Sequence, residues 1–139
     1  MTDETPVDLE QTRVWARRWS AAWESNWAAG TLHEVLPLYA DDVEFRTFAH
    51  READVGHGAV GAVFDTFQAV ATEVECRFGE PLVEGRRAVV EWWACWSEGD
   101  EGMSMAGCSS LWFNEAGLVQ ASSDYWNIVE GTSEPYEGW

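Results

Sequence analysis

The sequence contains no lysine: all 8 of its basic residues are arginine, against 25 acidic residues, for a net charge of -17. That balance argues against nucleic acid or an anionic membrane as partner, because both require phosphate charge to be neutralised. Cysteine is sparse, and Cys76, Cys95 and Cys108 form no CxxC pair. They read as buried free thiols, not as a disulfide framework or a zinc site. His33, His50 and His57 are separated and lack a paired carboxylate spacing, so we expect no metal and no cofactor. No apolar run approaches the roughly 20 residues that span a bilayer. The start, Met1 to Pro6, is acidic and polar and does not read as a secretory signal. The expectation from these points is a cytoplasmic protein. No internal repeat is visible.

What is abundant is tryptophan, with 10 in 139 residues. Trp15, Trp19, Trp23 and Trp27 recur every fourth residue, and side chains at that spacing stack on one face of an α-helix. The pattern predicts a helix from about Val7 to Ala29 with an indole stripe that must pack on something broad. Trp92, Trp93 and Trp96 form a second cluster. Such indoles serve either as plain core or as walls of an apolar pocket. Two causes would produce the acidity: a high-salt cytoplasm, where dense carboxylates hold water, or GC-rich coding that replaces lysine by arginine. We expect the first, a halophilic protein.

At 46% hydrophobic residues the chain suits one compact domain, residues 1–139, with an ordered core over about 7–129 and an acidic tail over 130–139. Gly30 is placed to end the first helix, and Thr31 to cap a short helix from Leu32 to Ala40, bent by Pro37. Val43 to Phe48 alternates as a half-buried strand. A loop over Ala49–Gly58 precedes a third helix from Ala59 to Ala71, with Val60, Val63, Phe64, Phe67 and Val70 inward. Strands follow over Glu73–Glu84, Arg87–Ser97, Met103–Phe113 and Leu118–Val129, with an acidic turn at Glu98–Gly102 and a tight one at Asn114–Gly117. In the tail, only Tyr136 and Trp139 are candidates to dock. Helices first and an antiparallel meander afterwards indicate an α+β domain.

Several local patterns carry a resemblance to a known superfamily. Gly30 stands nine residues before Tyr39 in Tyr39-Ala40-Asp41-Asp42, Phe113 to Gly117 forms a hairpin turn, and the last strand ends Asp124-Tyr125-Trp126-Asn127. In this order the chain resembles the nuclear transport factor 2-like superfamily, and its SnoaL-like polyketide-cyclase branch in particular. The resemblance spans most of residues 10–129. It implies a cone-shaped α+β barrel, with three N-terminal helices packed on a strongly curved, mostly antiparallel sheet. Ketosteroid isomerases, limonene-epoxide hydrolases and scytalone dehydratases share that cone, so fold alone does not give function.

Position by position, the resemblance sets the superfamily's active-site groups against residues of this chain. The oxyanion-hole tyrosine, general-base aspartate and protonated aspartic acid of ketosteroid isomerases fall on Trp23, Thr47 and Ser109. The Arg and second Asp of the epoxide hydrolases fall on Trp92 and Ala94, and their water-positioning Tyr and Asn on Phe45 and Thr47. Both chemistries therefore lack their groups here. Asp124, seven residues after Gly117, stands where the hydrolases and the SnoaL-type cyclases keep a catalytic aspartate. Strand alternation puts Ser122, Asp124 and Trp126 on one face, which the family pattern makes the pocket face.

In an apolar cone, desolvation would lift the pKa of Asp124 towards neutrality, as suits a general acid or base. The implied activity is acid–base chemistry on a hydrophobic carbonyl compound, of cyclase, isomerase or hydrolase type. The alternative is a hydrophobic-ligand binder or a dimeric accessory domain of the same fold. Asp124 and His50, in the loop at the mouth, are the candidate catalytic residues. Trp23, Trp27, Phe45, Thr47, Trp92, Met105, Ser109 and Trp126 are the candidate substrate contacts. Carbonyl-polarising partners would come from His50, Ser109, Thr47 or the indole N–H of Trp23 or Trp92. On the tryptophan-rich strand Val90, Trp92, Ala94 and Trp96 should face inward and Glu91 outward; a one-residue slip would reverse this. By analogy with the superfamily, the outer sheet face should support a homodimer, which would cover its exposed indoles.

Overall fold

A computed structural model describes residues 7–139; the polar start, Met1 to Pro6, lies outside the described residues. Helix α1 runs over Leu9–Ala29, where Asp8 caps the first turn by accepting the Glu10 amide at 2.9 Å. Gly30 ends it with φ 72°, a left-handed conformation that glycine adopts without steric cost. Thr31 does not cap the next element. Its hydroxyl turns back to Asn26 Oδ1 at 2.8 Å, and Leu32–Leu38 forms a 3₁₀ helix instead of a longer α-helix. Pro37 lacks the amide that a regular turn would use, and the chain is already extended at Tyr39.

Strand β1 therefore starts earlier than the alternation suggested, at Tyr39–Arg46, and β2 (Asp54–Val55) pairs back on it within the expected loop. Helix α2 covers Gly56–Val70, with Val60 and Phe64 fully buried and Val70 exposed near the rim. The segment read as one strand is two, β3 (Thr72–Phe78) and β4 (Leu82–Glu84). Both pair with the long strand β5 (Arg87–Glu98), and Pro81, which has no N–H to donate, stands in the gap between them. Strands β6 (Glu101–Phe113) and β7 (Val119–Glu130) complete the meander.

The sheet order is β2-β1-β7-β6-β5-β3, and all pairings are antiparallel except β1 with β7. This is the α+β arrangement expected, three helices on a curved sheet, but the sheet stays open between its β2 and β3 edges instead of closing into a barrel. Parity on β5 is as expected: Val90, Trp92, Ala94 and Trp96 are buried on the helix side, while Glu91 is exposed on the other.

The first tryptophan of the stripe closes the narrow end. Trp15 packs against Phe113 at 5.8 Å and against Gly117, where any Cβ would collide with the indole. Gly117 also sits at φ 82°, so two independent constraints select glycine in this turn. On the opposite, outer face, the chain after β7 runs back across the sheet. The Ser133 carbonyl accepts from Trp93 Nε1 at 2.7 Å, and Ser104 Oγ donates to the Gly131 carbonyl at 2.6 Å. Trp139 lies under the Arg77 guanidinium at 5.3 Å, while Tyr136 stays exposed.

Candidate active site

Between α1, α2 and the concave sheet lies a cavity of about 310 Å³. That volume is at the lower end of what small-molecule sites offer. Trp19, Trp23 and Trp27 form one wall, with Phe67 and Val70 of α2 beside them. Phe45, Thr47, Trp92, Trp96, Met105, Ser109, Ser122, Asp124, Trp126 and Ile128 come from the sheet. The indoles wall the space in edge-on contacts: Trp23–Trp27 at 5.7 Å, Trp23–Phe64 at 5.3 Å and Trp27–Trp92 at 6.0 Å. Trp126 has room on its strand because its partner across β6 is Gly107, where a Cβ would meet Trp126 Cβ at 2.8 Å.

Asp124 stands opposite Ser109 in the β6–β7 register. Ser109 Oγ lies 2.6 Å from Asp124 Oδ1 and 3.0 Å from Trp92 Nε1. An indole nitrogen only donates, so the serine accepts from Trp92 and must send its own proton to the carboxylate. The result is a directed relay, Trp92 N–H to Ser109 O–H to Asp124. It fixes Oδ1 and leaves Oδ2 without a hydrogen bond among the described residues. Burial in this apolar setting pushes the Asp124 pKa up to about 7, and the Ser109 hydrogen bond opposes part of that rise.

Of the other indole N–H groups in the lining, all but that of Trp27 are engaged elsewhere among the described residues. Trp19 and Trp23 both donate to the buried Tyr39 hydroxyl, at 3.0 and 2.9 Å. Trp126 donates to the Thr47 carbonyl at 2.6 Å and Trp96 to Glu98 at 3.0 Å. The expectation that Trp23 or Trp92 would offer its N–H to a carbonyl substrate is therefore corrected: each is consumed by an internal hydroxyl. Burial raises the Tyr39 phenol pKa further above its ordinary value, so it stays protonated as the acceptor of two indoles.

The structure brings Trp23, Trp27, Phe45, Thr47, Trp92, Met105, Ser109, Asp124 and Trp126 to one cavity. It does not bring His50 there. That residue is exposed in the loop after β1, its ring 5.3 Å from Phe48, which in turn meets Trp126. Glu98, expected as part of a solvated acidic tip, instead reaches the cavity rim through Trp96. No arginine and no second aspartate lines the cavity, in keeping with Trp92 and Ala94 at the epoxide-hydrolase positions. Among the described residues no group of three His, Cys, Asp or Glu side chains is arranged to hold a metal.

Several lining residues were absent from the expected contacts although the sequence signalled them, among them Trp96, inward with Trp92, and Phe67 and Val70 on the inner face of their helix. Trp19 belongs to the stripe, and Ser122 shares the inward parity of Asp124. Phe78 carried no such signal, because it reaches Trp19 at 5.8 Å only through the break between β3 and β4.

Several solved structures share this fold. Rv0760c from Mycobacterium tuberculosis has a TM-score of 0.73 at 22% identity, over 84% of this chain and 96% of its own. The epoxide hydrolase/cyclase-like enzyme SalBIII, of pyran ring formation in the polyether salinomycin, has a TM-score of 0.73 at 13% identity, over 88% and 98%. A computationally designed 17-OHP binder has a TM-score of 0.69 at 22% identity, over 86% and 98%. At these identities the likeness is one of fold. No curated protein sequence matches significantly. The SnoaL-like domain model matches residues 16–121, most of the chain, and the protein belongs to the SnoaL-like domain family.

Proposed function

We propose that the protein is a cofactor-independent acid–base enzyme acting on a hydrophobic carbonyl compound, with Asp124 as the proton-carrying group. The observation that carries this reading is the carboxyl group itself. It is held in an indole-walled cavity, oriented through Oδ1 by Ser109, free at Oδ2, and has a pKa near 7. A group so poised takes a proton from a carbon next to a carbonyl and returns it elsewhere, which is the elementary step of isomerisation and of aldol cyclisation. The apolar walls keep water from the enolate and position the substrate by shape. The epoxide hydrolase/cyclase-like enzyme SalBIII, of pyran ring formation, shares this fold. His50, exposed and outside the cavity lining, is left out of this reading.

A second reading is a binder of hydrophobic ligands without turnover. It is favoured by the fact that most of the cavity's indole N–H groups are already used internally, which leaves largely apolar walls. The designed 17-OHP binder uses this fold for such a purpose. Titration of aromatic polyketides, steroid ketones and terpenoid epoxides against intrinsic tryptophan fluorescence separates the two. Saturable quenching with conversion that Asp124→Asn abolishes supports the enzyme. Equal affinity for both proteins with no conversion supports the binder. As a homodimer formed through the outer sheet face, the protein would sediment at twice its 15.6 kDa chain mass.

A further inference from the structure

Ser122 is the one buried side-chain polar atom without a hydrogen-bond partner among the described residues. It is 3% exposed, lines the cavity, and lies on β7 two residues before Asp124, on the same inward face. A buried hydroxyl without a partner is unusual enough to need a reason, and a ligand oxygen supplies one. Of the other hydroxyls lining the cavity, Ser109 is committed to Asp124 and Trp92 and Thr66 to the Ala62 carbonyl, while Thr47, the rival donor, is only half-buried and within reach of water.

We infer that Ser122 is the hydrogen-bond donor that holds the substrate's carbonyl oxygen, and that the substrate is an enolisable ketone with its acidic C–H directly beside that carbonyl. This inference rests on the reading of Asp124 as the proton-carrying group. Residues two apart on a strand stand roughly 6.7 Å from each other and point the same way. A carbonyl oxygen on Ser122 therefore brings the adjacent α-carbon towards Asp124. Phe45, paired with Ser122 across β1 and β7, borders this subsite with an apolar ring.

The step balances without a co-reactant. Asp124 Oδ2 takes the α-proton as the C–H bond breaks, and its electron pair forms the enolate double bond. The carbonyl π pair moves to oxygen, which accepts a stronger hydrogen bond from the Ser122 hydroxyl, whose proton stays on serine. Reprotonation at carbon by Asp124 regenerates the ketone; alternatively the enolate carbon attacks a second carbonyl within the same molecule, whose π pair moves to its oxygen and takes the proton back from Asp124, leaving the aldol and the free carboxylate.

The probe is 6-propionyl-2-(dimethylamino)naphthalene, a flat apolar ketone with an α-methylene. Three readouts are taken on wild type, Ser122→Ala, Thr47→Val and Asp124→Asn: affinity, the isotope-edited infrared carbonyl stretch of the bound probe, and α-deuterium uptake in D₂O. The expected result is a lowered carbonyl stretch in wild type and Thr47→Val that rises in Ser122→Ala, with affinity reduced about two- to tenfold. Thermal stability of Ser122→Ala should not fall, because no hydrogen bond within the protein is lost. An identical stretch and affinity in wild type and Ser122→Ala would overturn the role of Ser122, whatever Asp124→Asn does. A lowered stretch that needs Ser122, without deuterium uptake in any protein, would instead overturn the role of Asp124 and leave Ser122 as a ligand contact. Failure of wild type to bind the probe would count against both.

Discussion

Ser109 gives its hydroxyl proton to Asp124 Oδ1 at 2.6 Å, since a carboxylate oxygen only accepts, and its own oxygen accepts in turn from Trp92 Nε1. The direction of this relay matters for the chemistry. It stabilises the charged carboxylate and so tempers the rise that burial imposes. Ser109→Ala should therefore move the Asp124 titration to higher pH. In activity the same substitution should shift the acidic limb of the pH–rate profile, where the Asp124 base is lost to protonation, upward by roughly one pH unit for a hydrogen bond to a charged group. A profile left unmoved would show that Ser109 does not govern the carboxylate.

Asp124 should make stability depend on pH in an unusual direction. Its pKa is about 7 when folded, against a reference value of 3.8. Between those values the folded chain holds a proton that the unfolded chain has lost. The contribution of Asp124 to stability is therefore fully present below about pH 4 and declines as pH rises through about 7. Asp124→Asn, which stays neutral, should gain on wild type over that range, by on the order of 2 kcal/mol at pH 8 once residual solvent screening is allowed for. Melting temperatures of the two proteins at pH 5 and pH 8 check this. A gap that does not widen with pH contradicts it.

Tyr39 accepts two indole N–H groups while 1% exposed, and Phe45 and Phe64 pack edge-on against its ring at 5.8 and 6.3 Å. Tyr39→Phe keeps the ring but strands both donors. It should cost about 2–4 kcal/mol in chemical denaturation, since each buried unpaired donor costs about 1–3 kcal/mol. A loss under half a kcal/mol would mean that water or the cavity satisfies the indoles instead.

The charge of -17 is largely uncompensated: only two Arg–carboxylate pairs, Arg13–Glu10 and Arg17–Glu80, occur among the described residues. Self-repulsion of this surface should weaken folding at low ionic strength. Dialysis from molar salt into dilute buffer, followed by circular dichroism, tests it. Loss of structure is the halophilic outcome, and indifference to salt would leave coding bias as the cause of the acidity.

The legible parts of the fold were those where a period was long and uninterrupted. The tryptophan stripe located α1 to within two residues, and Val90-Glu91-Trp92-Trp93 gave the correct parity on β5. Short or broken elements were not legible in the same way. The short helix bent by Pro37 is a 3₁₀ helix that ends at Leu38, short of the expected Ala40, and the Gly79–Pro81 gap divided an expected strand, because an absent or redirected amide changes pairing without changing the hydrophobic pattern. At the site, residue alternation identified which side chains face the cavity. It could not show that Trp23 and Trp92 spend their N–H groups on Tyr39 and Ser109, since those bonds join residues 16 and 17 positions apart on different elements.

The most direct measurement is the titration of Asp124 itself, by carboxyl ¹³C NMR of aspartate-labelled protein, with Asp124→Asn assigning the resonance. The account predicts one aspartate titrating near pH 7 that is missing from the variant. An Asp124 midpoint near 4 would mean an ordinary, permanently charged carboxylate, and would contradict its role as the proton carrier of the cavity.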